Sequence, residues 1–75
     1  MKKYKYKINE KIICIDNISR STYGVDIFDI TCKNELLVKI YDISPNKQMV
    51  EYLVCRCNLL NVSPIHIFDV IEDIL

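Results

Sequence analysis

The 75-residue chain has one glycine, Gly24, two prolines, Pro45 and Pro64, one histidine, His66, and no tryptophan. So little glycine excludes Walker loops and dinucleotide fingerprints, and so few breakers argue against disorder or low complexity. No apolar run approaches the roughly 18 residues of a membrane span, and the first lysines lead into Tyr-Lys-Tyr-Lys rather than a signal-peptide core. The sequence therefore reads as a cytoplasmic protein without a membrane partner. It also lacks a nucleophile elbow and any separated pair of carboxylates with an evident acid/base role, so an enzyme is not expected. A nucleophile built from Cys14 or Cys55 with His66 would need a geometry that spacing does not supply.

Hydrophobic residues make up 51% of the chain, enough for a core, and the length fits a single domain over 1–75. A chain this short buries only roughly 60% of its unfolded surface, which leaves little surplus stability. Formal net charge is zero but unevenly spread. Lys2, Lys3, Lys5, Lys7 and Lys11 face only Glu10 at the start, whereas from Met49 onward Arg56 stands against Glu51, Asp69, Glu72 and Asp73.

Residues 1–43 read as a β-meander. Tyr4, Tyr6 and Ile8 alternate with lysines, the period of a strand with one wet face. A turn is predicted at 9–11, a second strand over 12–15, and a break at Asp16 and Asn17. A further strand over 22–30 puts Tyr23, Val25 and Ile27 on one side and Asp26, Phe28 and Ile30 on the other. A hairpin connection over 32–35 leads to a last strand, 36–43, on which Leu36, Val38 and Ile40 share a face. In residues 44–75 the period changes. Ser44-Pro45 and Ser63-Pro64 each read as an N-cap serine with proline at the first helical position, predicting helices over 45–60 and 64–75 joined by 61–63. The expected fold class is α+β: an antiparallel meander of three to four strands, then two C-terminal helices packed on one sheet face.

Four cysteines in a reducing compartment are buried thiols or ligands rather than a disulfide framework. On the first helix Val50, Leu53, Val54, Cys57 and Leu60 form an apolar stripe. Cys55 lies about 200° of helical rotation from Cys57, so the two cannot close on one ion and no metal or cofactor is assigned. Cys57 reads as core. Cys55 shares a second, partly apolar face with Tyr52, Arg56 and Leu59, residue types that anchor interfaces. On the second helix Ile67, Phe68, Val70, Ile71, Ile74 and Leu75 form the apolar stripe, and His66, Asp69, Glu72 and Asp73 the acidic face opposite. His66 and Asp69 at i, i+3 have the geometry for a metal or a proton-transfer pair, but local pairing on a solvated face is the default.

The C-terminal segment carries Asp42-Ile-Ser44, Cys57-Asn58 and Ser63-Pro-x-His-x-x-Asp-Val-x-Glu-Asp73, and upstream lies Thr22-Tyr-Gly-Val25. In these pieces it resembles an uncharacterised family of short Firmicutes proteins, a domain of unknown function. The resemblance covers about half the chain and implies a bacterial source, with Cys57 rather than Cys55 in the shared pattern. It implies no activity.

The preferred reading is a small non-enzymatic protein-interaction module, regulatory or adaptor in kind. Its surfaces are the Tyr52, Cys55, Arg56, Leu59 face and the His66, Asp69, Glu72, Asp73 face, and its partner is a protein or a second copy in a homodimer. The alternative is a winged-helix-like nucleic-acid-binding protein using Lys3, Lys5 and Lys7 as cations and Tyr4 and Tyr6 as stacking rings. Against that alternative, the exposed face of the second helix is acidic, and strict alternation equally suits a charged edge strand that resists aggregation.

Overall fold

A computed structural model of the chain describes residues 2–31 and 33–74. Cys32, in the expected hairpin connection, and Leu75, at the end of the second stripe, lie outside the described residues. The element order is β1 (Tyr4–Ile15), β2 (Ile18–Asp29), β3 (Glu35–Ser44), α1 (Lys47–Leu60), a 3₁₀ turn (Pro64–His66) and α2 (Ile67–Ile74). The sheet is an antiparallel meander in the order β1-β2-β3. The α+β class stands as expected.

Two expected boundaries move. No turn forms at 9–11: β1 runs unbroken for 12 residues and pairs with β2 without a register shift. The reversal falls at Asp16 and Asn17, with φ of 52° and 64°, the left-handed pair that a two-residue hairpin turn demands and that Asp and Asn tolerate. Asn9, Glu10 and Lys11 resemble a turn in composition, yet each has a partner across the ladder, in Gly24, Tyr23 and Thr22. The predicted separate strands therefore merge, and the meander has three members among the described residues.

The first serine-proline pair does not cap α1. Ser44 is buried as the last residue of β3, opposite Tyr23, and Pro45 ends the strand. Asn46 takes the cap two residues later, its Oδ1 accepting from the Met49 N–H at 3.2 Å. Ser63 does precede a helical turn, with Pro64 in first position, but that turn is 3₁₀ before it becomes α2.

One sheet face meets the helices. Tyr6, Val25 and Ile27 from the sheet, Val50, Leu53 and Cys57 from α1, and Ile67 from α2 form the buried core. Tyr4, Ile8, Val38, Ile40, Val54, Val70, Ile71 and Ile74 pack around it. Leu60 and Phe68, expected in the apolar stripes, are 62% and 63% exposed. Leu60 sits in the last turn of α1 on the side that lines a cleft with α2, and Phe68 lies about 100° around the short α2 from Ile67, on the flank shared with Glu72. Leu36 also leaves its expected row: a register shift between Ile27 and Phe28 sets Leu36 opposite Phe28 and not in line with Val38.

α1 is fastened to the sheet by two asparagines at i, i+3. The Asn58 Oδ1 accepts from the Tyr6 N–H at 2.7 Å while its Nδ2 donates to the Tyr6 carbonyl at 3.0 Å. The Asn61 Oδ1 accepts from the Tyr4 N–H at 2.9 Å, and its Nδ2 donates to the Lys2 carbonyl at 3.2 Å. Asn61 itself is the left-handed residue that closes α1, with the Val62 N–H returning to the Cys57 carbonyl at 3.0 Å. The side chains of one helix thus stand in for a neighbouring strand along the first half of the β1 edge.

Candidate functional site

Between α1 and α2 opens a cleft of about 800 Å³. Met49, Tyr52, Arg56 and Leu60 line it from α1, Val62 from the connection, and Val70, Asp73 and Ile74 from α2. It exists because Asn61 and the 3₁₀ turn let α2 swing back onto the core through Ile67, leaving the outer flank of α1 uncovered. Tyr52 is 54% exposed, and the Arg56 guanidinium lies over its ring, 5.8 Å from the centroid. The result is an apolar wall with one cation and one carboxylate at its rim, a composition suited to an apolar segment with polar flanks.

The structure divides both predicted faces. Tyr52 and Arg56 line the cleft, whereas Cys55 and Leu59 lie outside its lining and are exposed, Leu59 at 79%. Of the acidic face, Asp73 reaches the cleft, and Asp69 and Glu72 remain on the exposed side of α2. His66 and Asp69 approach to 4.0 Å between Nδ1 and Oδ2, both largely exposed, the distance of a loose local ion pair. Among the described residues no three His, Cys, Asp or Glu side chains are grouped to hold an ion.

Cys14 and Cys55 are exposed free thiols and Cys57 a buried one. Burial pushes the Cys57 thiol up to about 11. Burial also raises the Tyr6 hydroxyl, helped by Cys57 and Tyr4 nearby. Both groups bind their proton more tightly folded than unfolded, so the stability linked to them is complete below the unfolded thiol value, about 8.5, and is lost as pH rises through the folded value. The urea midpoint should accordingly stay level from neutral pH to about pH 8 and decline toward pH 11, with Cys57→Val removing the earlier part of the decline. A midpoint that rose across that range would contradict the burial of both groups.

The other sheet face carries no helix. Lys5, Lys7 and Lys11 alternate onto it, opposite Phe28, Asp26 and Thr22, and Arg20 follows opposite Ile13. From β3, Lys39 pairs with Asp26 at 3.9 Å. Lys7 stands 5.4 Å from the Phe28 ring centroid, and Lys11 and Lys39 stand 5.2 and 5.6 Å from that of Tyr41. The strand alternation separates the residues of the nucleic-acid alternative. Lys3, Lys5 and Lys7 are exposed, but Tyr4 packs against the core and Tyr6 is 1% exposed, its hydroxyl donating to the Val62 carbonyl at 2.7 Å. Neither tyrosine is placed to stack on a base. The rings beside the lysines are Phe28 and Tyr41, which only the strand register could reveal.

A further surface went unseen in the sequence. Beyond Thr22 the β1–β2 hairpin continues without β3, whose ladder with β2 spans Tyr23 to Asp29. This arm carries Ile12, Ile15 and Ile18 at 67%, 65% and 57% exposure. The cluster of Ile12, Ile13, Ile15 and Ile18 was the available signal, hidden by the turn expected at 9–11.

In comparison with known proteins, the model of a family of unknown function (DUF6514) matches residues 1–75. No curated protein and no solved structure matches.

Proposed function

The chain belongs to this family of unknown function, and from its own geometry we propose that it is a small non-enzymatic protein-interaction module, regulatory or adaptor in kind, that receives a segment of a protein partner in the α1–α2 cleft. The observation that carries this reading is the cleft itself, where exposed Tyr52 and Leu60 and half-buried Met49 on one wall face Val70 and Ile74 on the other, with Arg56 and Asp73 available to fix orientation. A half-exposed tyrosine beside an arginine is the residue pairing that concentrates binding energy at interfaces. Such a site needs no cofactor.

Tyr52 and Arg56 lie outside the buried core, so replacing them should leave the fold intact. Tyr52→Glu is expected to weaken capture of a partner by at least about tenfold, with Arg56→Glu following it and Leu59→Ser having little effect. Affinity capture from the host, compared among these variants at matched circular dichroism, reads the result. Equal retention of the same partner by wild type and Tyr52→Glu would remove the cleft from the proposal.

A second reading is favoured by the cations over rings on the open sheet face, which suit an anionic polymer such as single-stranded nucleic acid. It predicts fluorescence-anisotropy binding of a labelled oligonucleotide that fades with added salt, and loss of that binding in Lys7→Glu with Lys39→Glu. Absence of binding at low salt would end it.

A further inference from the structure

The outward backbone groups of β1 divide into two halves. Those of Tyr4 and Tyr6 are taken by Asn61 and Asn58. By strand alternation the N–H and C=O of Ile8, Glu10, Ile12 and Cys14 point the same way, and no hydrogen bond reaches them among the described residues. This free half of the edge has no proline, no bulge and no covering helix, and Glu10 and Lys11 are its only charges, so most of the devices that ordinarily blunt an edge strand are missing. It runs on into the isoleucine arm at Ile12 and Cys14, a two-stranded ribbon that is marginal when left alone.

We propose that two copies of the chain pair through this edge, β1 against β1 in antiparallel orientation about a two-fold axis at Ile12, to form a continuous six-stranded sheet. A second copy fits because it presents the same row of free donors and acceptors over the same length, bounded in each copy by Asn58 at one end and by the Asp16–Asn17 turn at the other. Charge selects the register. With Ile12 opposite Ile12 of the second copy, Glu10 faces the partner's Cys14 and Lys11 faces the partner's Ile13, and no like charges meet. Sliding one copy by two residues sets Lys11 against the partner's Lys11 in one direction and Glu10 against the partner's Asp16 in the other. Like charges directly opposite destabilise a pair. A strand pair of this length is a small interface, so the dimer should dissociate on dilution in the micromolar range.

This inference stands apart from the cleft, because no residue of β1 lines the cleft. Two variants test it. Ile12→Pro removes an N–H that points away from β2, so the β1–β2 ladder is kept while the edge is blocked. Glu10→Cys, made together with Cys32→Ser and Cys55→Ser, places a new thiol opposite the partner's Cys14, at the roughly 5.5 Å Cα separation of directly paired residues that a disulfide spans. Within one chain the same two positions are about 13 Å apart along the strand and cannot be bridged.

Sedimentation equilibrium is expected to show wild type and Tyr52→Glu as dimers that dissociate together on dilution, and Ile12→Pro as a monomer with an unchanged circular dichroism spectrum. Mild oxidation of the Glu10→Cys variant should give a covalent dimer whose peptide map joins positions 10 and 14. A wild-type monomer at all concentrations would overturn the proposal, as would an Ile12→Pro dimer equal to wild type. A dimer whose cross-link joins other positions would overturn the register and the axis at Ile12.

Discussion

Gly24→Ala is expected to leave the chain largely unfolded at ambient temperature or to lower its melting temperature by more than any other single substitution considered. A Cβ at position 24 would lie 1.9 Å from the Ile40 carbonyl oxygen and 2.9 Å from the Asn9 Oδ1. The first of these is backbone, so relief requires β3 to move away from β2. The close approach is built in: between Tyr23–Ser44 and Val25–Ile40 the register shifts, and three residues of β3 bow past Gly24 with Asp42 left-handed at φ 57°. The Asn9 Nδ2 bridges the same spot, donating to Asp26 at 2.8 Å and to the Ile40 carbonyl at 3.2 Å. Thr22 holds the far side of the bow through its hydroxyl, which donates to Asp42 at 2.5 Å. Overpacking commonly costs about 1–3 kcal/mol, and a clash with backbone belongs at or above the upper end. For a domain of this size about 3 kcal/mol corresponds to roughly 12–24 °C, a large share of typical total stability. A thermal melt of Gly24→Ala within a few degrees of wild type would show that β3 has room to yield.

Gly24 marks how far the fold was legible. Its scarcity was plain in the sequence, and the strand it occupies was recognisable from Tyr23, Val25 and Ile27 alternating with Asp26 and Phe28. That β3 bends over it was not, because the bulge is a property of two strands together and Asp42 gives no local sign of a left-handed backbone. The same distinction separates the two hairpins' fates. Asp16-Asn17 announced a break by residue type, which the structure makes the hairpin turn, whereas Asn9-Glu-Lys11 imitated a turn, since a polar run inside a long strand is stabilised by cross-strand partners absent from any local window. Serine before proline was likewise ambiguous: at Ser63 it opens a helical turn, and at Ser44 the strand's own burial claimed the serine first.

Of the candidate site, the helical wheel placed Tyr52 with Arg56 and separated Cys55 from Cys57, which needs only the 3.6-residue repeat. It could not show which part of that face α2 would wall in. That depends on the left-handed Asn61 and on the 3₁₀ turn, which set the angle between the helices and so admit Asp73 to the cleft while leaving Leu59 outside. The Lys-Tyr alternation at the start correctly implied two unlike faces on one strand, but Phe28 and Tyr41 beside the lysines come from strands brought there by register.

Asn58→Ala is expected to cost about 2 kcal/mol, lowering the melting temperature by roughly 8–16 °C, although the residue is exposed and touches no core side chain through its amide. Its amide satisfies both the N–H and the C=O of Tyr6, whose ring is buried in the core, so truncation strips two backbone groups at a position that cannot turn toward water without withdrawing the ring. Asn58→Asp keeps an acceptor for the Tyr6 N–H but sets a carboxylate against the Tyr6 carbonyl, and should be no better than Ala. Amide hydrogen exchange distinguishes this account from a general loosening of α1: protection should fall first at Tyr6 and Tyr4, whose N–H groups face the helix, and persist at Lys5 and Lys7, whose N–H groups face β2. Equal loss at all four would mean that the strand separates from β2 before it parts from the helix. A selective loss would lengthen the free edge of β1 from Ile8 back to Tyr4, and the variant should then associate more readily than wild type even as it becomes less stable.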